Sequence, residues 1–89
     1  MKLEIFIEVW KKGQWFLARA PELDFISQGK TVEEARKNLI EVISIQFEEM
    51  RNMGTLDEYL LEYGFEIKNK ELVPQSEMIS LEKSVIMVS

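Results

Sequence analysis

The chain has 89 residues, of which 46% are hydrophobic and 30% are charged, as expected for one small folded domain rather than a disordered chain. It contains no cysteine and no histidine, which excludes disulfides, thiolate metal sites and Ser/His or Cys/His nucleophilic centres. Its 16 acidic and 11 basic residues give a formal net charge of −5, so we expect no direct nucleic acid partner. No apolar run approaches the roughly 18 residues that span a bilayer, and no signal peptide is evident, so we expect a cytoplasmic protein without a membrane partner.

The first third of the chain predicts three antiparallel strands. The apolar residues of the first strand recur at period two: Leu3, Ile5, Ile7 and Val9. A turn at residues 11–13 predicts a hairpin to a second strand at residues 14–20, which Pro21 ends. Residues 25–28 predict a third strand that ends at Gly29.

A long amphipathic helix is predicted next. Thr31 and Glu34 have the spacing of a capping box, so the helix should begin at Val32. Its apolar stripe is broad: Val32, Ala35, Leu39, Val42, Ile43, Phe47 and Met50. This stripe predicts a helix that packs on one face of the sheet.

The remaining residues predict smaller elements. A second capping box, Thr55 to Glu58, predicts a shorter helix to about residue 63, with Gly64 in the left-handed region after it. Residues 65–67 and 71–73 predict a hairpin, and residues 85–88 predict a closing strand. We therefore expect a single α+β domain over residues 1–89, with a β-β-β-α core in residues 1–53. A short helix and C-terminal strands should follow in residues 54–89.

Two local patterns could form chemical sites. The Gly29-Lys30-Thr31 junction could hold an anion at a helix N-terminus, but Thr31 and Glu34 should already use the free N–H groups there, so we favour a structural role. The acidic residues near one end of the sheet are Glu22, Asp24, Glu33 and Glu34. A residual metal-dependent nuclease built on them stays a minor alternative to a solvated acidic rim. We predict no catalytic, cofactor-binding or metal-binding residue.

An aromatic cluster marks the candidate interaction surface: Phe6, Trp10, Trp15 and Phe16. Trp15 and Phe16 are adjacent in a strand, so they must point to opposite faces of the sheet. One face can pack on the long helix. The other face must be covered by the C-terminal segment, by further copies in a homodimer or higher homo-oligomer, or by a partner protein.

The combined pattern resembles a known family. Residues 19–23 (RAPEL), residues 27–35 (SQGKTVEEA) and Asn38-Leu39 are similar to the HicB-like antitoxins, and the similarity covers residues 2–50. The resemblance implies a degraded RNase H-like core without catalytic carboxylates. It also implies a partner in a toxin–antitoxin system, a small basic HicA-like toxin that acts as an mRNA interferase. The residues after Met53 match neither C-terminal DNA-binding segment of the family.

The sequence therefore predicts a protein-binding module rather than an enzyme, with no cofactor. The expected function is that of a HicB-type antitoxin that occludes a basic HicA-type toxin. An orphan self-assembling domain is the main alternative.

Overall fold

The computed structural model describes residues 2–88. Its elements in chain order are β1 (Glu8–Lys12), β2 (Trp15–Ala20), β3 (Phe25–Gly29), α1 (Val32–Met53), α2 (Leu56–Glu62), β4 (Phe65–Lys68) and β5 (Glu71–Pro74). The predicted α+β class is confirmed. Among the described residues, no helix is both long and apolar enough to cross a membrane.

A three-stranded antiparallel sheet forms the first layer, in the order β1-β2-β3. The β1–β2 hairpin turns at Gly13, whose φ of 63° lies in the left-handed region that glycine adopts without strain. Val9, Ala18 and Ser27 stand opposite one another across the three strands. This register places their side chains on one face, the face that packs on α1.

The N-terminal segment, residues 2–7, corrects one prediction. Its alternating burial is as expected, since Leu3, Ile5 and Ile7 pack against the core, but the strand begins at Glu8 and not at Leu3. Glu8 pairs with Arg19, and β2 ends one residue later at Ala20, so most of the N-terminal segment extends past the end of β2. They find other acceptors and neighbours, described below.

Two contacts hold the N-terminal segment in place. The backbone N–H of Phe6 donates to a carboxylate oxygen of Glu22 at 2.7 Å, in the loop that follows β2. On the other side, Lys2 forms an isolated parallel bridge with Glu71, and the Leu72 N–H donates to the Lys2 carbonyl at 3.5 Å. The segment therefore lies between the β2–β3 loop and β5.

Helix α1 begins at Val32, as predicted. The Thr31 hydroxyl oxygen accepts the Glu34 N–H at 3.0 Å and so caps the first turn. The helix ends at Met53, and the Gly54 that follows it has a φ of 76° and donates its N–H to carbonyls of the last turn. A glycine in this position is a common helix C-cap, so Gly54 marks the end of α1 in a way that the apolar periodicity does not.

The core is small and entirely apolar among the described residues. Its buried members are Ala18, Ala20, Leu23, Ala35, Leu39, Ile43, Leu56, Leu60 and Phe65. Alanines on β2 and α1 allow the helix to approach the sheet closely. The approach is closest at Gly29, where an added Cβ would lie 2.6 Å from the Ala35 nitrogen.

Helix α2 closes one end of this core. The Tyr59 hydroxyl donates to the Leu23 carbonyl at 2.9 Å, and the Tyr59 ring lies 6.3 Å from the rings of both Phe25 and Phe47. The second capping box is wrong: Thr55 makes no side-chain cap and its hydroxyl donates instead to the Met50 carbonyl at 3.4 Å. Thr55 sits in the tight link between two helices, with helical φ and ψ that do not aim its hydroxyl at the next turn.

The C-terminal part confirms one predicted element and contradicts another. The β4–β5 hairpin is confirmed, with Asn69 and Lys70 at positive φ in its turn, and Gly64 has the expected positive φ of 88°. The closing strand at residues 85–88 is wrong. These residues have no regular structure and no strand lies beside them, so their apolar side chains stay 79 to 92% exposed.

Candidate interaction surfaces

The sheet face opposite α1 carries exposed apolar side chains. We call it the outer sheet face and define it by Trp10, Trp15, Leu17 and Ile26. Trp10 of β1 pairs with Leu17 of β2, so both side chains lie on the outer sheet face. Trp10 is 61% exposed and Ile26 is 59% exposed, so large apolar groups face solvent.

The four aromatic residues singled out in the sequence lie in three places. Trp10 and Trp15 belong to the outer sheet face. Phe16 lies on the opposite face, as the alternation requires, and packs against the core. Phe6, 50% exposed, belongs to the N-terminal segment and lines a separate cleft.

The outer sheet face has no cover from the described part of the chain. The C-terminal segment was one predicted cover, and that prediction is wrong, because its residues 79–88 are themselves exposed. Leu17 and Ile26 were missed as members of this face. Their strand parity would have identified them, once the register of Trp10 with Leu17 was known.

A charged pair interrupts the outer sheet face. A guanidinium nitrogen of Arg19 lies 3.7 Å from a carboxylate oxygen of Glu8, directly across the β1–β2 ladder. That oxygen is shielded from solvent and accepts no hydrogen bond within residues 2–88. Because the Arg19 side chain is about half exposed, the ion pair contributes little stability.

An acidic cleft of about 650 Å³ opens between the N-terminal segment on one side and β5 with the chain that follows it on the other. Four carboxylates and one ammonium line it: Glu4, Glu22, Glu71, Glu77 and Lys2. Its apolar lining includes Phe6 and Met78. Only Glu22 has a backbone donor, the Phe6 N–H, among the hydrogen bonds described. Glu71 and Glu77 were not predicted here, because no local pattern shows that residues 71–78 lie beside residues 2–6.

A second depression is apolar and lies on the opposite side of the N-terminal segment. This apolar groove, also about 650 Å³, separates that segment from α1. Its apolar lining is Leu3, Ile5, Ile7, Ile40, Ile43 and Phe47. Ile40 remains half exposed at the lip of the groove, so α1 does not seal it.

The structure places little conventional chemistry at the remaining candidates. Across residues 2–88, no three His, Cys, Asp or Glu side chains are grouped to hold a metal ion. At the Gly29–Thr31 junction the Thr31 hydroxyl takes the Glu34 N–H, and Glu33 and Glu34 put negative charge in the first turn. The junction therefore caps a helix.

Comparison with protein-family models, with curated proteins and with solved structures found no match for this chain.

Proposed function

We propose that this chain is a non-catalytic protein-binding module of the HicB antitoxin type, which neutralises a small basic HicA-type mRNA interferase by covering its active surface. The observation that carries the proposal is the acidic cleft, where carboxylates outnumber ammonium groups four to one beside exposed apolar side chains. The resemblance of residues 19–39 to the family supports the same partner.

Electrostatics favour a basic protein over other partners. The chain carries a formal net charge of −5, and the cleft concentrates part of that charge in a concave site. Opposite charge speeds the encounter of two proteins, while like charge repels nucleic acid. Arginine side chains match carboxylates especially well, because the guanidinium group can bind both oxygens at once.

The cleft also offers the means for a specific complex. Phe6 and Met78 provide apolar contact area beside the carboxylates. Protein interfaces typically combine an apolar centre with a polar rim. At about 650 Å³ the cleft takes a few side chains, not a whole protein. We therefore expect a few toxin side chains to insert into the cleft and hold the domain over the toxin's active surface. The body of the domain would then inhibit the toxin by covering that surface. The RNA target of such a toxin implies a cytoplasmic location.

The test is a titration of this chain into a purified HicA-type interferase, with RNA cleavage and association rate as readouts. The cleft variant replaces Glu71 and Glu77 by lysine, and the matched control replaces Glu41 and Glu48, exposed on α1, by lysine. Both variants change the net charge equally. We expect the cleft variant to associate at least about tenfold more slowly at low salt, with the control changed less than about threefold.

Equal loss in both variants would show that only net charge matters, and no loss in either would remove the cleft from the proposal. The chain alone, incubated with labelled RNA and Mg²⁺ or Mn²⁺, tests the nuclease alternative. RNA cleavage by pure chain that disappears in Glu22→Gln would contradict a non-catalytic function.

A further inference from the structure

The last apolar residues of the chain form a continuous run rather than an alternating one. We call residues 79–88 the C-terminal arm. Within it Val85, Ile86, Met87 and Val88 are consecutive and 79 to 92% exposed. An alternating strand buries one face, but a continuous apolar strand is stable only where both of its faces are covered. The arm therefore needs a site that is apolar on both sides.

The free edge of β1 is such a site. In the described sheet, β1 pairs only with β2, so its other edge has unpaired backbone groups. Where the N-terminal segment runs into β1, the inner side of this edge meets the apolar groove, which is lined by Ile7 and by residues of α1. On the outer side lies the exposed ring of Trp10. A strand added there would have apolar neighbours above and below.

The other edge of the sheet fits less well. Helix α1 packs most closely against β3, to the point of excluding a Cβ at Gly29. The side-chain amide of Asn38 also donates to the Gln28 carbonyl at 2.9 Å. One β3 carbonyl is thus already occupied.

Continued along the chain, the register of the Lys2–Glu71 bridge would carry the arm past the end of β1 in its own molecule. Lys2 lies beside Glu71 in a parallel bridge. Continuing that register would place residues 75–81 beside residues 6–12, and Val85 would lie four residues past Lys12. At about 3.3 Å per residue this is about 13 Å beyond the end of β1. Residues 76–79, and not the apolar end of the arm, would then lie beside residues 7–10 of the same molecule.

We propose that the apolar end of the arm, Val85–Val88, adds as a strand to the free β1 edge of a second copy of this chain, with the exchange made in both directions. One alternate pair of its side chains packs into the apolar groove, and the other pair covers Trp10. The assembly is a two-fold symmetric dimer. This inference does not depend on a toxin partner.

The area available agrees with a stable dimer. The four side chains of the added strand are 79 to 92% exposed: Val85, Ile86, Met87 and Val88. Burying one such side chain removes about 60–120 Å² of apolar surface from water, by the usual transfer coefficient. Two such strands remove about 480–960 Å², and with a similar area on the edges that they cover the total of about 960–1,920 Å² overlaps the roughly 1,200–2,000 Å² of stable interfaces.

The test compares two isoleucine-to-aspartate variants by sedimentation velocity over a range of concentrations. Ile86→Asp lies in the arm, and Ile45→Asp, on an exposed position of α1 outside the groove, is the matched control. Both side chains face solvent in the single chain, so neither change should unfold it. We expect the dimer dissociation constant to rise at least about 30-fold for Ile86→Asp and to change less than about threefold for the control.

A cross-link locates the contact. The natural chain has no cysteine, so Ile40→Cys at the groove lip and Met87→Cys in the arm can be made separately, given different tags and mixed. Oxidation should give a disulfide between the two differently tagged chains. A monomer at all concentrations, a dimer that Ile86→Asp leaves intact, or an Ile40→Cys/Met87→Cys double variant that cross-links only within one chain would each overturn the proposal.

Discussion

Replacing Gly29 by alanine tests the packing of α1 on the sheet. An ideal Cβ at this position would lie 2.6 Å from the Ala35 nitrogen and 2.9 Å from the Glu34 carbonyl carbon. Both are backbone atoms of the first turn of α1, so no flexible side chain can move aside. The methyl group must push the helix from β3 or distort the end of the strand.

Two opposing effects set the magnitude. Inserting a methyl group into a packed site costs about 1–3 kcal/mol of unfolding free energy, and more where backbone must move. Alanine also restricts the unfolded chain, which stabilises the folded state by about 0.4–1 kcal/mol wherever the native backbone suits it. The clash is with fixed backbone, so we expect Gly29→Ala to be less stable than the natural chain by about 1–3 kcal/mol.

The assay is urea unfolding at one protein concentration, followed by the fluorescence of Trp10 and Trp15. Gln28→Ala is the control, because it alters the neighbouring exposed side chain and should change the unfolding free energy by less than about 0.5 kcal/mol. A Gly29→Ala protein as stable as the natural chain, or more stable, would refute the close approach. The glycine of the SQGKT stretch would then be free for a role other than helix packing.

Three further predictions concern single side chains. Tyr59→Phe removes the hydrogen bond to the Leu23 carbonyl and should lower the unfolding free energy by about 1 kcal/mol in urea titrations. Burial first, and then the negative charges of neighbouring groups, raise the pKa of Tyr59 above 10.0, so the folded state holds the phenol proton more tightly. Stability should therefore fall as the pH rises above 10.0, and less steeply in Tyr59→Phe. Thr31→Ala should cost about 1 kcal/mol, because it removes a helix cap, while Thr55→Ala, which removes no cap, should cost less than half as much in the same thermal unfolding series.

Local patterns predicted most of the fold correctly because they act over short distances. The start of α1 at Val32 follows from a cap between Thr31 and Glu34, only three residues apart. The β4–β5 hairpin follows from a short polar turn between two apolar runs. In each case the residues that decide the structure are neighbours in sequence.

The errors arise where a distant residue decides. Period-two alternation starts at Leu3, but a strand also needs a hydrogen-bonded partner, and β2 ends at Ala20, one residue past the partner of Glu8. Thr55 and Glu58 have the spacing of a capping box. The tight link from α1 turns the Thr55 hydroxyl back to Met50 instead. The residues whose structure was wrongly predicted do not themselves determine where β2 ends or how α1 is linked to α2.

The candidate surfaces follow the same rule. Alternation correctly placed Trp15 and Phe16 on opposite faces, yet it could not show which face α1 would cover. The acidic cleft joins Glu4 and Glu71, which are far apart in sequence, through the bridge at Lys2. Such a site depends on a long-range pairing that leaves no periodic trace.

Residues 85–88 show most clearly that a strand-like composition does not by itself produce a strand. Its apolar, largely β-branched composition is typical of a strand, but a strand exists only when another backbone lies beside it. The same composition would suit a strand in this sheet or in the sheet of another molecule, so sequence cannot choose between them. Continued along the chain, the register of the Lys2–Glu71 bridge would carry residues 85–88 past the end of β1 in the same molecule, while the β1 edge has no strand beside it in the described sheet. In a domain with so small a core, the exposed Trp10 and the exposed arm hold apolar area that association would convert into stability.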